Sequence, residues 1–260
     1  MTEPVLGILG LGVIGGSIGL RARCNGVHVV GADSDPVALD TARNVGVIDA
    51  VVPPEMLSRL ADVVVIAAHL EPTLREIARL ANEPAGGPAL LLDVASVKVP
   101  VAGAGKALSN FVATHPMAGS ERSGPSAARR DLFEGCSWAY VPTGDRELDG
   151  RARRFIESLG GIPVAMTAEE HDRVVAITSH LPQVVASCYA RMLRTAGDNA
   201  ERLCGPVARE LLRISGMSST MWGDILQANA HNVEPELRRL SRELEAAADA
   251  LAQNGRADGG

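Results

Sequence analysis

The chain has 260 residues, 46% hydrophobic and 22% charged, with a formal net charge of −6, a composition that can bury a real core in one large domain or two modest ones. No Lys/Arg stripe stands out against that negative balance, which excludes a nucleic-acid binder and leaves a small-molecule partner. Cys24, Cys136, Cys188 and Cys204 are widely spaced, giving neither a disulfide framework nor zinc ligands; with no signal-peptide pattern and no apolar run of about 18 residues, the expectation is a cytoplasmic protein without membrane contact.

Short apolar, β-rich runs occur at 5–9, 27–32, 61–67, 89–94, 111–114 and 137–141, separated by helix-like stretches. Strands alternating with helices predict a doubly wound parallel sheet, because parallel neighbours need a crossover between them. A helix over 148–159, the Gly160-Gly161 break and a strand over 162–165 complete the first domain, residues 1–166. From Thr167-Ala-Glu-Glu170, a capping-box pattern, the periodicity is helical alone, so 167–260 is predicted to be an all-helical domain. Val174, Ile177, Leu181, Val184 and Val185 recur at helical spacing there, and Pro182 is expected to kink that helix. Leu237, Leu240, Leu244 and Leu251 form a stripe suited to packing on this domain or a second subunit, and 252–260 reads as a frayed end.

The first strand runs into Gly10-Leu-Gly12-Val13-Ile14-Gly15, the G-x-G-x-x-G turn that presents a helix N-terminus to a pyrophosphate. Alone this motif is weak. The second strand, however, ends at Asp33, 18 residues past Gly15, close to the spacing of an acid that accepts hydrogen bonds from an adenosine ribose. A carboxylate there repels a 2′-phosphate and no arginine follows in "DSDPVAL", so NAD is expected rather than NADP. Asp35, just before Pro36, reads as a helix cap.

Ligands of open α/β sheets bind beyond the carboxyl ends of the strands. Three such ends carry polar groups: "ALLLDVASVK" with Asp93, Ser96 and Lys98, "NFVATHPMAGSE" with His115, Ser120 and Glu121, and "VVIAAHLEP" with His69. A lone histidine is more often structural, but a position beyond a sheet strand in a nucleotide-binding domain makes His115 a site candidate. For Ser96 and Lys98 a helix cap and a solvated lysine are equally good readings. In the helical half His171 and His180, nine residues apart, fall on opposite faces of a straight helix, so no metal pair is expected. Arg209 and Arg213 share a face one turn apart, which fits either carboxylate binding or a solvated basic surface.

In combination these motifs resemble the prephenate/arogenate dehydrogenase family of tyrosine-pathway oxidoreductases, in order and over nearly the whole chain: "GILGLGVIGGSIGL", "DVASVK", "THPMAGSERSG", "EEHDRVVAITSHLP" and "RELLRISGMSSTMWGDILQAN". The resemblance implies a Rossmann-type NAD-binding domain followed by an all-helical dimerisation domain, a homodimer, and NAD-dependent oxidative decarboxylation of a cyclohexadienol. His115 matches the family's catalytic histidine, which accepts the hydroxyl proton, and Ser96 matches the serine bonded to the same hydroxyl and beside the cofactor. Histidine's ordinary pKa of about 6.5 suits that role near neutral pH. The resemblance also implies that Gly10, Gly12, Val13, Ile14, Gly15 and Asp33 hold NAD. Arg213 would bind the substrate carboxylate, with Ser120, Glu121, His180, Gln183, Arg209 and Trp222 lining the substrate site.

Gln183 stands where many members have a second histidine, and "AAHL" at 67–70 replaces the usual strand end. The expected reaction is arogenate to tyrosine or prephenate to 4-hydroxyphenylpyruvate. Alternatives are a dehydrogenase of an amino-substituted prephenate analogue in a specialised pathway, another Rossmann/helical-dimer hydroxy- or imino-acid dehydrogenase, and a non-catalytic NAD(H) sensor.

Overall fold

A computed structural model describes residues 4–83, 87–120, 122–197, 199–216 and 218–257. The chain divides into two compact units, Met1–His171 and Asp172–Gly260. In the first, the chain runs β1 (Val5–Leu9), α1 (Val13–Cys24), β2 (His28–Ala32), α2 (Pro36–Asn44), β3 (Ala50–Val51), α3 (Pro54–Leu60), β4 (Val63–Ile66), α4 (Leu70–Ala81), β5 (Leu90–Asp93), α5 (Val99–Gly105), β6 (Phe111–Val112), β7 (Thr114–Pro116), β8 (Ser137–Tyr140), α6 (Arg146–Ser158) and β9 (Ile162–Ala165).

Six strands form one parallel sheet in the order β3-β2-β1-β4-β5-β6, the doubly wound arrangement that places ligands at the carboxyl edge near β1. Alternation along the strands sends side chains to two faces. Leu6, Ile8, Val65, Leu90 and Leu92 join Ile18 and Ala22 of α1 and Leu148, Ala152 and Ile156 of α6 on one face. Val64, Ile66 and Leu91 join Leu57, Ile77, Leu80 and Val101 on the other. A side chain such as Ile8, fully buried, stabilises the fold by about 1.5–3 kcal/mol relative to exposure.

The run at 111–114 is not one strand of that sheet, and 137–141 does not extend it. The chain leaves the sheet at Ala113; β7 pairs antiparallel with β8, which pairs parallel with β9, in a separate three-stranded sheet. The cause lies in two side chains distant in sequence: the backbone N–H of Thr114 donates to Asp93 Oδ1 and its carbonyl accepts from Lys98 Nζ, so neither group can continue the ladder with β5. β3, only two residues long, is too short to give a period and was not expected from the sequence.

α7 (Ala168–Val175) starts with Thr167 Oγ1 accepting the Glu170 N–H, and it crosses the division between the units. In the second unit follow a π-helical turn (Ala176–His180), α8 (Leu181–Arg194), α9 (Pro206–Ser215), α10 (Ser219–Ala228) and α11 (Ala230–Ala257). Pro182 lies in the first turn of α8, directly after the π turn. Its missing N–H therefore falls where the hydrogen-bond ladder already shifts register, and His180 and Leu181 keep helical dihedrals. α11 carries the expected fraying segment as helix to Ala257, and 258–260 lie outside the described residues. No described helix is long and apolar enough to cross a membrane.

Candidate active site

The glycine turn joins β1 to α1 at the carboxyl edge of the parallel sheet. Gly10 has φ +93°, and a Cβ there would lie 2.5 Å from the carbonyl oxygen of Ala67, so the turn admits no other residue at that point. A Cβ on Gly15 would lie 2.0 Å from the Gly10 carbonyl oxygen, whereas one on Gly12 would meet nothing within 4 Å. The turn is closed on its protein side and open at Gly12. Gly12 caps α1 without any side-chain hydrogen bond, and the N–H groups of a first helical turn, where Val13 and Ile14 sit, have the chemistry that suits an anion. Asp33 Oδ2 accepts the Leu11 N–H at 2.7 Å and Oδ1 accepts the Asp35 N–H at 2.9 Å. This acid at the end of β2 thus fastens the glycine turn while keeping lone pairs for ribose hydroxyls. The residues present fit a dinucleotide. His69, exposed at the N-cap of α4, stands at the end of the adjoining β4. Asp35 caps α2 through the Val37 N–H, as its position before Pro36 implies.

His115, half-buried, is the middle residue of β7, opposite Ala139 of β8. The preceding residue is held in a buried polar frame. Lys98 Nζ reaches Asp93 Oδ2 at 2.5 Å and the Thr114 carbonyl at 2.6 Å, with both charged side chains wholly buried. Asp93 Oδ2 also accepts the Ala95 N–H, and Trp138 Nε1 donates to Thr114 Oγ1. Lys98 is therefore not a solvated lysine. A buried charge of this kind persists only when paired and hydrogen-bonded, and this one fixes the backbone entering His115. Ser96 is half-buried in the turn between β5 and α5. Ser120 Oγ accepts the Arg122 N–H within its own loop, and Glu121 lies outside the described residues.

His171, which the sequence sets apart from His180 as no metal pair, has no site role among the expectations. It is 1% exposed, and its Nε2 lies 2.9 Å from His115 Nδ1. The spacing to His180, which rules out a metal pair, carries no information about a partner in β7, so no local signal could have found it.

In the second unit His180 and Gln183 are buried on successive turns. Asn229, completely buried near the start of α11, donates from Nδ2 to the Asp172 carbonyl at 2.7 Å and lies 3.1 Å from His180 Nδ1. Its Oδ1 accepts from Asn232, so the amide orientation is fixed and His180 Nδ1 must be an acceptor. Neutral His180 then carries its proton on Nε2 and is a donor there. Trp222 packs edge-on to His180 with ring centroids 5.9 Å apart. Gln183 Oε1 and Trp222 Nε1 are buried without hydrogen-bond partners among the described residues, polar groups that suit a ligand. Arg209 and Arg213 lie exposed on α9. Arg213 forms a bidentate pair with Glu210 at 2.9 and 2.7 Å, and those bonds hold the Glu210 carboxyl below the usual carboxylate range.

The chain matches two family models. The prephenate dehydrogenase nucleotide-binding domain matches residues 17–164, and the prephenate dehydrogenase dimerization domain matches 167–259. Among curated relatives, a probable prephenate dehydrogenase NovF from Streptomyces niveus is 39% identical over 97% of this chain and 69% of the relative. Prephenate dehydrogenase of Bacillus subtilis is 31% identical over 94% of this chain and 69% of the relative. A crystal structure of prephenate dehydrogenase from A. aeolicus in complex with hydroxyphenyl propionate and NAD+ aligns with a TM-score of 0.87 at 25% identity, covering 98% of this chain and 93% of that one. Synechocystis arogenate dehydrogenase shares the fold at a TM-score of 0.76 and 24% identity, over 96% and 92% of the two chains.

Proposed function

The chain belongs to the prephenate dehydrogenase family, and from that premise we propose that it is an NAD-dependent dehydrogenase that oxidatively decarboxylates a prephenate-type cyclohexadienol. The observation that carries this reading is topological: the glycine turn after β1 and His115 just past β6 both stand at the carboxyl edge of one parallel sheet. Gly12 and the first turn of α1 would hold NAD+, which would supply the hydride acceptor. His115 takes the proton of the ring hydroxyl as hydride leaves the carbon bearing it, with Ser96 bonded to the same oxygen. The ring carboxylate departs as CO2, and the electron pair of the broken bond completes the aromatic ring. Asp33 excludes a 2′-phosphate, which favours NAD over NADP.

Arg213, with Arg209 beside it, binds a substrate carboxylate, while His180, Gln183 and Trp222 bind the remainder. The loop residues Ser120 and Glu121 complete that set. Gln183 Oε1, buried and lacking a donor among the described residues, suits a substrate ammonium, so we favour arogenate over prephenate. Residues 1–166 serve the nucleotide and 167–260 the substrate and a homodimer contact. The test is NADH formation measured with arogenate and prephenate separately, with NAD+ and then NADP+. We expect turnover with NAD+, faster with arogenate; no turnover of either substrate overturns the assignment.

A further inference from the structure

We propose that His171 is a positioning residue that holds His115 in the tautomer leaving a lone pair on Nε2; the inference rests on the reading of His115 as the proton acceptor. The two rings meet edge to face, with centroids 5.1 Å apart and planes inclined at 66°. Their close approach is between nitrogens, Nδ1 of His115 and Nε2 of His171, at 2.9 Å. Two ring nitrogens at that separation need one proton between them: two lone pairs repel and two N–H groups collide. A neutral imidazole carries a single N–H. With Nδ1 of His115 committed to His171, only Nε2 can take a proton from a substrate, and it can do so only if the ring's own proton sits on Nδ1. His115 Nδ1–H must then donate to His171 Nε2, and His171 carries its proton on Nδ1.

The arrangement favours the charged product of the transfer. As the substrate O–H bond breaks and the Nε2–H bond forms, His115 becomes an imidazolium. Its Nδ1–H bond to His171 changes from neutral to charge-assisted, and so strengthens as the reaction proceeds. His171 keeps its own proton throughout. Both rings are placed by rigid surroundings. β7 is clamped by the Asp93–Lys98–Thr114 frame, and His171, 1% exposed, lies in the first turn of α7 with its N–H on the Thr167 carbonyl.

The test compares His171→Leu, which removes the acceptor, with His171→Gln, whose Oε1 can still accept from Nδ1–H. We expect His171→Leu to lower kcat about 10- to 100-fold, with KM and NAD+ affinity within about twofold of the parent, and His171→Gln to recover most of the loss. In 15N spectra of histidine-labelled wild-type protein, His115 should be protonated on Nδ1, and in His171→Leu it should become a mixture of tautomers. A wild-type His115 protonated on Nε2, a His171→Leu variant of unchanged kcat, or a His171→Gln variant as slow as His171→Leu would each overturn the proposal. The tautomer is read without substrate. A wild-type protein that turns over neither arogenate nor prephenate would thus sink the catalytic reading while the spectra still decide the pairing. If His171→Leu fails to fold, the wild-type spectrum and His171→Gln remain decisive.

Discussion

At the scale of single residues, Gly12 and Gly15 differ in what a methyl group would meet, and that difference separates binding from folding. An alanine at 15 would press its Cβ to 2.0 Å from the Gly10 carbonyl oxygen, while one at 12 would enter open space. Gly15→Ala is therefore expected to lower the thermal midpoint measurably, by several degrees for a cost of about 1–3 kcal/mol. Gly12→Ala should melt with the parent yet lose NAD+ affinity by about tenfold or more, because its methyl occupies the path of the pyrophosphate. Calorimetry in the absence and presence of NAD+ reads both, and a Gly12→Ala protein that binds NAD+ normally would remove the turn from the cofactor site. Arg213 presents a second residue-level contest. Glu210 occupies the guanidinium fork that a substrate carboxylate would need. Its carboxyl lies below the usual range, so the pair is fully present above the ordinary carboxyl pKa and lost as pH falls through the lowered one. Glu210→Gln should weaken the hold of that partner on Arg213 and reduce substrate KM by about two- to fivefold, the modest scale of an exposed pair, with kcat unchanged. A KM that rises instead would show Glu210 to be an orienting partner.

At the scale of elements, the decisive unit is the segment from Asp93 to His115, in which one buried ion pair reads across two sheets. Lys98 answers the Asp93 carboxylate and the Thr114 carbonyl together, so Lys98→Met strands a carboxylate in the interior. Breaking a buried pair in this way costs about 3–5 kcal/mol, and we expect a corresponding drop in the urea midpoint together with reduced kcat, since β7 loses its clamp. A variant with parental stability would mean that the Ala95 and Thr114 N–H groups satisfy the Asp93 carboxylate without Lys98.

The same segment shows what local sequence can and cannot carry. "DVASVK" and "THPMAG" mark strand ends by composition, and the glycine turn and Asp33 follow from spacing because their geometry is local. The pairing of Lys98 with Asp93, the departure of β7 into a second sheet and the meeting of His115 with His171 are consequences of how distant elements stack. No period of two or 3.6 encodes them. Asn229 is a further case: in sequence it is an ordinary polar residue ending "DILQAN", and only its burial against Asp172 and His180 gives it a task. Asn229→Leu should remove the amide donor from the Asp172 carbonyl and from His180 Nδ1, cost about 1–3 kcal/mol, and change the 15N shifts of His180.

At the scale of the molecule, the residues of the proposed site fall in both units, with the glycine turn, Asp33, Ser96 and His115 in the first and Arg213, Gln183 and His180 in the second. The second unit leaves part of its apolar surface uncovered. Along α11, Leu237 and Leu240 are half-buried within their own unit, but Leu244 and Leu251 on the same stripe are 62% and 74% exposed. A 28-residue helix is about 42 Å long at roughly 1.5 Å per residue, and its later turns carry these two exposed leucines. Covering each with a second copy would contribute about 1.5–3 kcal/mol, and a matching stripe on an identical helix is the self-complementary surface of a two-fold dimer. Light scattering should accordingly give twice the chain mass for the parent protein. The double variant Leu244→Glu/Leu251→Glu should shift to the single-chain mass while the nucleotide-binding unit still binds NAD+. A parent that runs as one chain at micromolar concentration would show that the stripe has another use, whereas a double variant that remains dimeric would move the interface to the exposed Met192, Leu203 and Val207.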